Sequence, residues 1–131
     1  MKKFLKIIGI ILLTIVGLFL IVNLVGDAKL AFQGFNSQER EMIRFIKMSQ
    51  TAVERAIGRN APTFESFSHV SEVLDEDGTT LLGYYIDGKM EGAAIGKRYF
   101  FTKEKQLLWW TNQTPDADEQ GRQHLKEGKG W

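Results

Sequence analysis

The residues of this chain that could do chemistry are few, and His69 comes first among them. It is one of only two histidines, and Ser66, Ser68 and Ser71 all lie within three positions of it. A hydroxyl two residues from an imidazole on a strand points to the same face, so a Ser-His-acid set for acyl transfer can be drawn. Acyl transfer also needs a strained turn at the nucleophile and a donor-lined oxyanion pocket, and the surrounding sequence supplies neither. The expectation is a strand histidine that is satisfied or exposed. His124, the other one, falls in a polar tail.

Asp75, Glu76 and Asp77 could offer oxygens to calcium. A calcium loop spreads its ligands over about a dozen residues and closes on a bidentate acid. Here Gly78-Thr79-Thr80-Leu81 leads directly into an apolar run, so a solvated turn is the expectation. Glu65, Glu72 and Glu91 have no spacing that sets two carboxyls at a working separation. The glycines at 83, 88, 92 and 96 read as strand and turn positions, not as a phosphate loop. With no cysteine anywhere, disulfides, thiol catalysis and Cys-type zinc sites are excluded. No metal or cofactor is called for.

The aromatic residues carry the clearest pattern. Tyr84-Tyr85, Tyr99-Phe100-Phe101 and Trp109-Trp110 are adjacent in sequence, and neighbours on a strand point to opposite faces. Rings on both faces of a sheet require cover on both, whereas a solvated face would alternate with polar residues. One face is expected to meet a helix. The other takes either the C-terminal tail or a partner. Tyr85, Phe100 and Trp110 are the candidate binding residues on that second face.

The elements that position these rings follow an α+β plan. Residues 1–6 form a basic flank with Lys2, Lys3 and Lys6. Residues 7–25 are nineteen consecutive uncharged positions, enough for a helix to span the roughly 30 Å core of a bilayer. They read as a single transmembrane anchor with the N-terminus cytoplasmic and the rest extracytoplasmic. A cleaved signal peptide has a shorter apolar core and a small-x-small site, for which Gly26-Asp27-Ala28 is a poor substitute. Residues 26–35 are a juxtamembrane connector.

Residues 36–111 are the α+β domain. Asn36 with Glu39 forms a capping-box pattern before an amphipathic helix that Gly58 and Pro62 end. Met42, Phe45, Ile46, Ser49, Ala52, Val53, Ala56 and Ile57 make its apolar stripe. A meander of about four antiparallel strands follows. A bulge or bend interrupts Phe64–Leu74, and Asp87-Gly88 is the expected hairpin turn between Thr79–Ile86 and Lys89–Ile95. Residues 112–131 read as a polar, partly disordered tail.

From Asp27 onward 14 basic residues face 16 acidic ones, a balance that argues against nucleic acid as a partner. Residues 60–95 hold seven acids and one base, and residues 96–111 four bases and one acid. Neighbouring strands would pair these charges. The resulting reading is a non-enzymatic binding or assembly protein of the cell membrane with a protein partner. The alternative is a small envelope hydrolase, or a ligand-binding domain, with a pocket near His69. The order helix then curved sheet also fits folds of the cystatin or nuclear-transport-factor kind, by fold-level analogy alone.

Overall fold

The computed structural model describes residues 33–131. The basic flank, the apolar run 7–25 and most of the 26–35 connector lie outside them. Among the described residues no helix is long and apolar enough to cross a membrane. The chain divides into two compact units, Met1–Arg40 and Glu41–Trp131.

In the described part of the first unit, α1 (Ser37–Ala56) begins. Asn36 Oδ1 accepts the Glu39 N–H at 2.8 Å, and Glu39 Oε1 accepts the Asn36 N–H at 3.2 Å. This is the expected reciprocal box, and it satisfies donors that the first helical turn leaves open. Twenty residues on, the helix ends where Gly58 takes a φ of +79°.

The second unit is built on five antiparallel strands: β1 (Phe64–Phe67), β2 (Ser71–Leu74), β3 (Leu81–Met90), β4 (Lys97–Thr102) and β5 (Leu107–Asn112). They lie in the order β1-β3-β4-β5, with β2 also paired to β3. The single strand expected over 64–74 is thus two, both alongside β3. Across the break, Ser68 Oγ accepts the Asp87 N–H at 2.9 Å and keeps that donor satisfied.

The expected hairpin at Asp87-Gly88 is not there. β3 runs straight through it, with Asp87 opposite Arg98 and Gly88 opposite Lys97 on β4. Asp87 takes both Nε and Nη2 of Arg98, at 2.8 and 3.1 Å. Glycine at 88 lets two rings come close: a Cβ there would lie 3.0 Å from the Phe67 ring and 3.2 Å from that of Tyr99, tighter than most Cβ contacts. The dipeptide with the strongest turn signal therefore serves a cross-strand charge pair and a close ring approach. The turn comes later, at Glu91-Gly92.

Both faces of the sheet are covered. On one face Ile86, Tyr99 and Phe101 are fully buried, with Phe64 6.5 Å from Tyr99 and Trp110 5.8 Å from it. Helix α1 covers this face: the Tyr99 hydroxyl donates to Gln50 Oε1 at 3.0 Å, and Lys47 sits over the Phe67 ring. Met42, Ile43 and Ile46 share the buried side of the helix with Gln50. Burial, with the nearby Glu54 charge second, pushes the Tyr99 phenol well above its ordinary range. The sequence stripe is thus divided: Phe45, Val53 and Ile57 are exposed.

The opposite face carries a second core of Val73, Phe100 and Trp109, with Leu82, Tyr85, Leu108 and Leu125 packed around it. Its cover is the segment expected to be a partly disordered tail. Residues Ala117–Glu127 form a helix, α2, with Ala117 and Gly121 buried. Arg122 Nε donates to Leu74 O at 3.2 Å, Lys126 pairs with Asp75 at 2.9 Å, and Arg98 pairs with Asp118. The layers of the second unit are therefore helix, sheet, helix.

Candidate functional site

The three candidate binding residues do not form one surface. Tyr85 lies opposite Phe100 in the β3–β4 register, and Phe100 lies opposite Trp109 in the next, whereas Trp110 is opposite Tyr99. Tyr85 and Phe100 therefore share the α2 face, while Trp110 is on the α1 face. Phe100 is fully buried, with its ring 6.1 Å from Tyr85 and 5.8 Å from Trp109. It is a core residue under α2, and its place among contact residues is corrected accordingly.

Tyr85 is half-buried and carries the Arg98 guanidinium over its ring at 4.1 Å. Paired to Asp87 and Asp118 as well, Arg98 is fixed on three sides. The hydrogen bonds to Asp87, above all, raise its pKa beyond the ordinary arginine range. Beside it a shallow notch of about 180 Å³ is lined by Glu72, Val73, Leu74, Tyr85, Asp118 and Arg122. Tyr85 is thus half-buried and covered on one ring face by Arg98.

Trp110 sits differently. β5 is an edge strand, and its two tryptophans point to opposite sides of it. Trp131 bridges them, with its ring 5.0 Å from Trp110 and 5.9 Å from Trp109. It is 80% exposed, the most exposed of the large apolar side chains among the described residues. His124 supports this group from α2: its imidazole stacks on Trp109 at 3.9 Å and its Nδ1 lies 2.8 Å from Lys129 O. The residue that sequence reasoning missed is Trp131. Its signal was its type, a third tryptophan available to stack on the pair in β5, but it stood in a segment read as a polar tail.

The groups considered for chemistry are occupied otherwise. The Ser68 hydroxyl donates to His69 O at 3.0 Å while accepting from Asp87, so it is engaged on both sides. His69 is exposed in the break between β1 and β2. An adjoining notch of about 310 Å³ is lined by Ser66, Phe67, Ser68, Asp87, Gly88, Lys89, Gly96 and Gln113, without His69. Among the described residues no three acids or histidines cluster in a way that could hold a metal ion.

Asp77 instead builds its own turn. Its Oδ1 accepts the N–H groups of Thr79 and Thr80, each at 2.9 Å, and its Oδ2 accepts the Thr80 hydroxyl. These bonds, the Thr80 hydroxyl first, lower its pKa from 3.8 to about 2. A depressed carboxylate contributes stability that is present above the unfolded value and is lost as pH falls through the folded one. The Thr79 and Thr80 amide resonances should therefore titrate with a midpoint near 2. A midpoint at the ordinary aspartate value would remove this account of the turn.

Comparison of the chain with protein-family models, with curated proteins and with solved structures gives no match.

Proposed function

We propose that this chain is a single-span, membrane-anchored binding or assembly protein. Its α+β domain is held outside the cytoplasm by residues 7–25 and engages a protein partner without turnover. The observation that carries the reading is the tryptophan group at the β5 edge. An exposed indole resting on a second, half-buried one presents rigid apolar area with an N–H donor, the kind of anchor that dominates protein interfaces.

The test uses the full-length chain in its membrane, with a photocrosslinker at position 112 beside the group and, as a control, at position 123 on α2. One specific partner should be captured from 112 and not from 123. Trp110→Ala combined with Trp131→Ala should reduce that capture at least tenfold, because truncating an interface tryptophan costs about 2 kcal/mol or more. Unchanged capture with both rings gone, in a domain that retains its helical signal, would remove the proposal.

A further inference from the structure

The two edges of the sheet are closed in different ways. One edge is shared by β1 and β2, four residues each, which a break separates and which carry the exposed acids Glu65 and Glu72. Short, interrupted and charged strands discourage pairing with another chain. The other edge is β5, six residues without a charge. An apolar, uncharged edge strand is the kind that pairs most readily when it is open.

The β5 edge is covered by the chain itself. After α2, Gly128 turns the backbone with a φ of +66°, and the Lys129 N–H donates to His124 O at 3.2 Å. The Lys129 carbonyl can only accept, so His124 Nδ1 carries a proton and donates to it at 2.8 Å. The next residue reaches Leu108, which the β4–β5 register shift leaves as the extra residue of β5. Gly130 lies so close that a Cβ would stand 2.4 Å from the Leu108 carbonyl oxygen. A side chain at 130 must therefore lift this segment off the strand. Trp131 completes the path: Trp109 and Trp110 point to opposite sides of β5, and a ring in contact with both has to lie across the free edge.

We infer that residues 128–131 are a strap that closes β5 against a second copy of this chain, with His124 as its latch. With the strap away, β5 can pair antiparallel with the same strand of another copy. That twofold contact is self-complementary and sets no like charges opposite one another. The broken, acid-bearing edge at β1 and β2 offers no second point of growth, so association stops at a pair. The strap belongs to the domain itself and needs neither the anchor nor the partner proposed above.

Sedimentation equilibrium of the full chain in detergent, beside the same chain with residues 128–131 deleted, tests this. Deletion should lower the apparent dissociation constant of the dimer at least tenfold. Gly130→Val should act in the same direction while leaving α2 and its cap in place, so that its association is read in a folded domain. The chain has no cysteine, which allows one nitroxide at Asn112→Cys on β5 or at Glu65→Cys on β1. Paired β5 strands put the two labels at 112 about 20 Å apart, and those at 65 more than about 35 Å apart. Four results would each overturn the inference: both altered chains staying single, an unaltered chain already paired through 112, open-ended aggregation, or a pair with its short distance at 65.

Discussion

Phe100→Ala should destabilise the domain by about 3–5 kcal/mol. The ring is fully buried and is enclosed by Val73, Tyr85 and Trp109 on the sheet side and by α2 above it. Removing it leaves a cavity that the neighbours cannot fill. Gly121, the α2 residue over the ring, has no side chain to lower into the space, and the helix is fixed by Arg122 to Leu74 O and by Lys126 to Asp75. Against a total stability of about 5–15 kcal/mol for a domain this small, that loss is a large fraction. Equilibrium denaturation followed by tryptophan fluorescence measures it. A change below about 1 kcal/mol would mean that α2 and its core lie outside the cooperative unit.

Gly121→Ala should also destabilise, and here the sign is the informative part. In an exposed helix interior, alanine for glycine gains about 1 kcal/mol. At this position the added Cβ would lie 2.1 Å from Phe100 Cζ and 2.2 Å from its Cε1. The ring is held on every side, so either the helix lifts or the ring leaves its rotamer, at a cost of about 1–3 kcal/mol beyond the propensity gain. The two sites must then couple. In a Phe100→Leu background, which vacates the far end of the ring, the alanine should become neutral or stabilising. A stabilising alanine in the unaltered chain would show that α2 sits further from the sheet than described.

The parts of the fold that were legible in the sequence are those set by local chemistry. Asn36 and Glu39 satisfy each other three residues apart, and Gly58 ends the helix by its own backbone freedom. The antiparallel sheet was legible as a class because β-branched and aromatic runs alternate with turn residues, although a meander of about four strands was expected and five are present. What stayed hidden depends on partners distant in sequence. Asp87-Gly88 has the composition of a turn, and only Arg98 and the Phe67 ring make it a strand interior. Helix α2 has its stripe, Ala117, Gly121 and Leu125 at steps of four. Small residues contribute little apolar weight, and their value is close approach to a ring that the sequence does not announce.

The candidate site was half legible for a related reason. Adjacent aromatic pairs correctly implied two covered faces, and the tail was one of the two covers considered. The assignment of rings to faces required the strand register. The β4–β5 register shifts between Phe100 and Phe101, and Trp110 pairs with Tyr99. Trp131 could not be placed without the helix that returns it to β5.

The position of α2 in the chain has a consequence for how the protein is made. Every strand of the sheet precedes the helix that covers its second face. During synthesis there is an interval in which β1 to β5 are complete and able to pair while Val73, Phe100 and Trp109 still face solvent. In that interval the nascent chain presents an open aromatic sheet, the kind of surface on which chaperones act and aggregation begins. Closure waits for the eleven residues of α2. A chain cut short before Ala117 would keep the strands and lose their lid, so quality control should recognise it as an unfinished product even though most of its sequence is intact.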